Sequence, residues 1–284
     1  MTETIPPALP PLDLTSVRGV VEPAVRLQAD RDWRIDDLNW SAIRPELLTD
    51  TDTSVVRFIT FVEDHIPGYL TWLLREFPVD NAADPIPSVA INREYFRFFV
   101  AWAHDEERHA AVLTRYQEEA DINTPERLRL ELAEEGRKHF GLPYSEPLEA
   151  FVYTMIQEKA TQLFYQRFRA VAREPVLRDL LNRLGRDEAR HFAFYTRLVE
   201  EYLRRDARAA APHLREVVRG FRMPLSETLG RYRRWSLEVA DATHYDHTEA
   251  FLALVRVIDR FTDGPAGTGL DDVGELVAAL RTLA

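Results

Sequence analysis

The pentapeptide Asp105-Glu106-Glu107-Arg108-His109 returns almost unchanged at Asp187-Glu188-Ala189-Arg190-His191. On a helix, residues three apart share a face with Cβ atoms about 5–6 Å apart, so the Glu and His of each copy can hold one metal ion together. Two copies suggest two ions. Carboxylate-bridged two-metal sites in four-helix bundles take a Glu-x-x-His from each of two helices and a single Glu from each of the other two. Glu63 and Glu158 meet that need, one before the first copy and one between the copies. Glu63 stands among Val55, Phe58, Ile59, Val62, Ile66 and Leu70, and Glu158 among Phe151, Met155, Leu163 and Phe164. A carboxylate within an apolar stripe is costly unless paired or bound to a cation. The candidate metal ligands are therefore Glu63, Glu106, His109, Glu158, Glu188 and His191.

Four carboxylates balance two divalent cations, and neutral imidazoles complete a nearly neutral site. Without metal the carboxylates would repel, and several should hold protons at raised pKa. Oxygen and imidazole ligands with open positions suit iron, the expected metal, ahead of manganese at one or both positions. Asp187 is placed to accept from a ligand imidazole, and Arg108 and Arg190 to pair with ligating carboxylates from behind. Ordinary surface ion pairing is the alternative for the arginines. Thr161, three residues after Glu158, shares the face aimed at the metals and is the candidate catalytic hydroxyl, although helix threonines commonly bond their own backbone. Asp241-Ala242-Thr243-His244 has a similar spacing without matching partners and reads as surface.

The elements that must position these residues read as helices throughout. Of 284 residues only 11 are Gly, 45% are hydrophobic, and long runs repeat with helical period. The fold class is all-α, one domain over 1–284. Core helices are expected at about 53–75, 88–121, 148–172 and 175–208, with an N-terminal arm at 1–50 and further helices over about 213–284. Asp52, Thr53 or Ser54 is the expected cap of the first. Pro67 should bend it one turn after Glu63, because proline cannot donate to the carbonyl of residue 63. Asp263 to Gly269 reads as a linker before a final helix from Asp271 to Leu283. The absence of Cys removes disulfides and thiolate chemistry. No apolar run approaches a membrane span, the Pro-rich start has no secretory pattern, and a cytoplasmic protein is expected. The net charge of −11 argues against broad nucleic-acid binding.

Four blocks resemble the soluble diiron acyl-carrier-protein desaturases, which are ferritin-like in fold: Glu63-Asp64-His65-Ile66-Pro67-Gly68-Tyr69, Glu106-Glu107-Arg108-His109, Gln157-Glu158-Lys159-Ala160-Thr161 and Asp187-Glu188-Ala189-Arg190-His191. The resemblance covers about residues 50 to 205. It implies the same six ligands, now to two iron ions, with Thr161 at the family's oxygen-activation threonine. It further implies removal of two hydrogens from adjacent methylenes of an acyl chain tethered to acyl carrier protein, using dioxygen and two electrons from ferredoxin. A homodimer is the expected assembly, although the residues themselves carry no sign of it. His65 and Gly68 depart from the pattern near the first ligand.

Other readings stay open. A related diiron hydroxylase would act on a carrier-tethered or free small molecule. Iron storage or peroxide detoxification would fit a shorter bundle, and a radical-generating subunit would need a tyrosine that nothing in the sequence singles out. Acidic partners should dock on arginines, with Arg204, Arg205 and Arg208, or Arg231, Arg233 and Arg234, as candidates. Phe96, Phe99, Trp102, Phe164 and Phe168 read as core, some of them lining any apolar tunnel.

Overall fold

A computed structural model describes residues 9–144, 146–230, 232–262 and 268–282, without the side chains at 239, 247, 281 and 282. Among these, ten α-helices and four 3-10 turns occur and no strand. The helices are α1 (Leu14–Arg31), α2 (Asp50–Glu63), α3 (Ile66–Glu76), α4 (Ile86–Glu119), α5 (Pro125–Gly136), α6 (Pro147–Val171), α7 (Pro175–Gly220), α8 (Tyr232–Thr243), α9 (Phe251–Thr262) and α10 (Leu270–Thr282). Most of the linker at 263–269, the first part of the Pro-rich arm and Arg231 lie outside the described residues. No described helix is long and apolar enough to cross a membrane.

Helices α2, α4, α6 and α7 form the bundle that carries the four sequence blocks. Their starts follow local chemistry. Thr49, earlier than the expected cap, accepts from the Asp52 amide while Asp52 accepts from the Thr49 amide, a reciprocal box that starts α2 at Asp50. Proline occupies the first turn of α4, α6 and α7, where no intrahelical donor is lost. Buried Glu174 caps α7 through the Leu177 amide and also accepts from Tyr116 and the Arg44 amide, tying the helix start to α4 and to the segment before α2. Helix α7 consists of two helical stretches, the first ending close to the boundary expected near Arg208. It is kinked at Asp206, whose non-helical backbone (φ −160°, ψ 90°) lets its side chain accept from the Ala209 amide and start a second stretch to Gly220.

The bend expected at Pro67 is a complete break. Helix α2 stops at Glu63, and Pro67 falls in the first turn of α3, where its missing N–H costs nothing. Gly68 is needed there because an added Cβ would come within 3.0 Å of the Phe140 Cβ, and Phe140 stacks on Tyr69 with centroids 4.2 Å apart. The buried His65 ring donates from Nδ1 to the Phe61 carbonyl at 2.9 Å, closing the break. Helix α1 packs across α4 and α7 on one side of the bundle. On another side, α8 covers α2, with Trp235 stacked on Phe61 at 5.4 Å and Tyr232 edge-on to Phe58 at 5.4 Å.

Candidate metal centre

The six side chains singled out as ligands converge in the middle of the bundle, none more than 8% exposed. Helix α2 brings Glu63, α4 brings Glu106 and His109, α6 brings Glu158, and α7 brings Glu188 and His191. They fall into two overlapping groups able to hold an ion each, Glu63-Glu106-His109-Glu188 and Glu106-Glu158-Glu188-His191. Glu106 and Glu188 belong to both. One Glu106 oxygen lies 3.6 Å from His109 Nδ1 and the other 3.0 Å from His191 Nδ1. Glu188 likewise lies 3.5 Å and 3.6 Å from the two imidazoles, so each carboxylate spans both groups. Glu63 lies near His109 alone (3.7 Å) and Glu158 near His191 alone (3.4 Å).

The imidazoles are oriented from behind. His109 Nε2 donates to Asp187 at 3.1 Å, and His191 Nε2 to Asp105 at 3.2 Å. Each motif thus supplies the acid that holds the other motif's histidine, and both Nδ1 atoms turn inward. Asp187 also accepts from the buried Trp33 indole at 2.8 Å, and Asp105 from Gln28 at 3.1 Å. Arg108 and Arg190 do not pair with ligating carboxylates as expected. They bridge these two aspartates, Arg108 reaching Asp32 as well. The geometry favours the aspartates because they stand on the outward side of the imidazoles. The role of Asp105 was missed in the sequence although it occupies the same place in its motif as Asp187.

The residues fit a two-metal group. His109 Nδ1, His191 Nδ1 and one oxygen each of Glu106 and Glu188 are buried with no properly oriented hydrogen-bond partner. Such atoms are costly unless an ion takes them. Burial lifts the Glu63 carboxyl to about 7, against the opposing pull of His109. Burial, with Glu106 and Glu158 nearby, likewise raises Glu188 well above the usual range. For Glu106 burial also acts upward, but the two imidazoles outweigh it and hold the group near 2, lowered to about 2. Burial opposes charge on His109 and His191, yet the surrounding carboxylates prevail and raise both well above their ordinary value. These shifts run in the direction expected of buried carboxylates and imidazoles that crowd together at one point, where bound cations would favour the deprotonated forms.

Beside this centre lies a cavity of ≈ 770 Å³. Glu63, Glu106 and Glu188 lie on its wall, apolar side chains from α2, α3 and α6 (Phe58, Ile59, Ile66, Phe164) and from the 221–246 region (Phe221, Leu225, Tyr232) line most of the rest, and Gln157, Arg222, Ser236 and Asp246 add polar groups. Of the aromatics proposed for a tunnel, Trp102 and Phe164 line it, and Trp102 also donates to Glu158 at 3.2 Å. Phe99 and Phe168 are buried elsewhere in the core, and Phe96 lies under the Arg93 guanidinium, 5.1 Å from its ring centroid. Thr161 is on the cavity wall, with its hydroxyl donating to the Gln157 carbonyl at 3.2 Å. Gln157 itself accepts from Tyr69. Buried Tyr165, one turn beyond Thr161, donates to Glu63, a contact with no local sequence signal.

The sequence model described as fatty acid desaturase matches residues 39–258. DesA1 of Mycobacterium tuberculosis, assigned as an acyl-[acyl-carrier-protein] desaturase, is 26% identical over 192 residues, 65% of this chain and 53% of its own length. Acyl-[acyl-carrier-protein] desaturase 6, chloroplastic, of Oryza sativa subsp. japonica is 34% identical over 142 residues (46% and 33%). Stearoyl-[acyl-carrier-protein] 9-desaturase 6, chloroplastic, of Arabidopsis thaliana is 32% identical over 165 residues (55% and 40%). The chain spans about half, or less, of the length of these relatives. The X-ray structure of DesA2 from Mycobacterium tuberculosis superposes with a TM-score of 0.60 at 18% identity, covering 92% of this chain and 98% of that one, and has the same ferritin-like fold. The matching model, over 39–258, is one of fatty acid desaturases. The chain belongs to that family.

Proposed function

We propose that this chain is an oxygen-dependent diiron desaturase that introduces a double bond into an acyl chain carried on acyl carrier protein. The observation that carries this reading is the contact between the two ligand groups and the apolar cavity through Glu63, Glu106 and Glu188. One ion would be held by Glu63 and His109, the other by Glu158 and His191, with Glu106 and Glu188 shared. Iron fits oxygen and imidazole donors, and manganese is the second choice. Bound there, the ions would supply the activation of dioxygen, the oxidant that takes two hydrogens from adjacent methylenes and, with two external electrons and two protons, ends as water; no amino-acid side chain can do this.

The protein's own residues do the rest. The cavity is within the ordinary size of small-molecule sites, and its aromatic walls hold a flexible methylene chain still and dry against the centre. The Tyr69–Gln157 contact fixes the wall beside Glu158. Thr161 Oγ lies on the cavity wall and is the proposed catalytic hydroxyl, which would have to turn its hydrogen from the Gln157 carbonyl toward the centre. Asp105 and Asp187 keep both Nδ1 atoms aimed inward. Two electrons per turnover must come from outside, and ferredoxin is the proposed donor.

The test supplies purified protein with ferrous iron, a ferredoxin–reductase system, dioxygen and a series of acyl carrier protein thioesters. Products two mass units lighter, with about two irons bound per chain and both lost together with activity in Glu158→Ala, are expected. Incorporation of labelled oxygen into the product would instead establish a hydroxylase. No change in any carrier-bound chain ends the proposal.

A further inference from the structure

The cavity that faces the centre is built mainly from α2, α3, α6 and the 221–246 region, with Trp102 and Glu106 of α4 and Glu188 of α7 on the side of the centre. On the other flank, where α1 crosses α7, the surface is of a different kind. A cleft there is lined by Arg31, Arg183, Arg186 and Arg190 together with Asp30 and Asp179, with the buried Trp33 and Asp187 at its floor. It shares Arg190 with a small depression that reaches Asp105 and His191, and that depression shares Arg197 with a groove lined by Arg256. Arg183, Arg186, Arg190 and Arg197 follow each other at helical spacing along one face of α7. Arg183 pairs with Asp179 at 3.2 Å and Arg190 with the buried aspartates, whereas Arg31, Arg186, Arg197 and Arg256 are exposed and in no ion pair among the described residues. On a chain of net charge −11, a face on which Arg31, Arg186, Arg197 and Arg256 stand without an ion-pair partner among the described residues is a local exception, even with Asp30 and Asp179 in the same cleft. Charges so placed attract an oppositely charged partner and speed its approach.

We infer that the α1–α7 face, centred on Arg31 and Arg186, is the docking surface for an acidic one-electron carrier protein. Two candidate occupants follow from charge alone, a reductant and the acyl carrier, and position separates them. A carrier must deliver its chain to the cavity mouth, and α7 reaches that cavity only through Glu188. A reductant needs only closeness to the centre. On this face the partner would sit over Asp187 and Asp105, each one hydrogen bond from an imidazole proposed to bind metal. Trp33 adds an aromatic ring at the floor of the cleft, with its N–H on Asp187 and the Arg108 guanidinium 4.7 Å from its ring centroid. The surface differs from both arginine groups suggested by sequence. Arg204 is taken up by Glu200 and Glu201, Arg205 donates to the Pro11 carbonyl, and Arg233 and Arg234 belong to α8 on the cavity side.

The inference rests on the desaturase reading, and the experiment separates the two. Arg31→Glu/Arg186→Glu and, as a control on the cavity side, Arg233→Glu/Arg234→Glu are compared with the unaltered protein. Binding of a plant-type [2Fe–2S] ferredoxin is measured by calorimetry at two salt concentrations, with and without iron. Acyl carrier protein binding and dithionite-driven turnover are measured in parallel. The expected result is a ferredoxin Kd raised at least about tenfold in the α1–α7 variant, with a flatter salt dependence, unchanged carrier binding and unchanged dithionite-driven turnover. Ferredoxin binding unaffected by this variant, or lost only in the α8 control, overturns the inference. Weakened carrier binding in the α1–α7 variant overturns it in favour of a carrier surface. If the unaltered protein binds ferredoxin through this face but alters no acyl chain with dithionite, the docking inference stands and the desaturase reading falls.

Discussion

At the scale of single residues, the centre is a contest between protons and cations for the same buried atoms. Glu63, lifted to about 7, is largely protonated below that pH, and both imidazoles carry protons that their carboxylate neighbours stabilise. Each such proton must leave when a cation enters. Metal affinity should therefore rise as pH increases from about 6 to 8, with roughly two or more protons released per chain. Calorimetry in buffers of different ionisation enthalpy counts them; a pH-independent affinity contradicts the ligand set. Tyr165 holds Glu63 through a hydrogen bond that favours the charged carboxylate. In Tyr165→Phe the carboxyl should keep its proton to higher pH, and the His109 position should bind metal about 10–100-fold more weakly, as follows from losing an orienting partner. Metal titration of that variant should show one weakened position, and two unchanged ones would remove Tyr165 from the centre.

At the scale of elements, two glycine substitutions should act in opposite directions. Gly68→Ala at the start of α3 pushes a Cβ against Phe140 at 3.0 Å and should cost about 1–2 kcal/mol. Gly19→Ala in α1 meets nothing within 4 Å and should stabilise by about 0.5–1 kcal/mol through helix propensity. Thermal melts should thus move by a few degrees, downward for the first and upward for the second, about 2–4 °C per kcal/mol in a chain of this size. Helix identities were legible in the sequence because apolar residues recur with one period. The break after Glu63 was legible too, as a bend, because Pro67 removes a specific donor. The kink at Asp206 was not, since Asp is an ordinary helix-surface residue until its side chain captures the Ala209 amide. Partners such as Trp33 for Asp187, 154 positions away, and Tyr165 for Glu63, 102 away, leave no local trace. Four of the inward-facing ligand candidates could be read because their spacing repeats, and Glu63 and Glu158 because each is a carboxylate within an apolar stripe, while the pairing of Asp105 with the histidine of the opposite motif could not.

At the scale of the whole molecule, the bundle separates an apolar chamber from an arginine-bearing flank, and the buried acids between them need neutralising. Stripping the ions should lower the melting temperature by several degrees, and returning excess ferrous iron or manganese should restore it, since a ligand bound only to the folded chain stabilises it by mass action. Differential scanning measurements with and without chelator check this. A melting point indifferent to both treatments argues for a bundle whose acids are satisfied by protons alone.

The exchange of acids between the two pentapeptides has an evolutionary and practical corollary. Because neither copy can orient its own imidazole, no half of the molecule contains a finished half of the centre, and a lesion such as Asp105→Asn lands on the neighbour's histidine. Asp105→Asn should accordingly weaken the position that holds His191 and Asp187→Asn the one that holds His109, so metal titrations of the two variants should lose opposite positions.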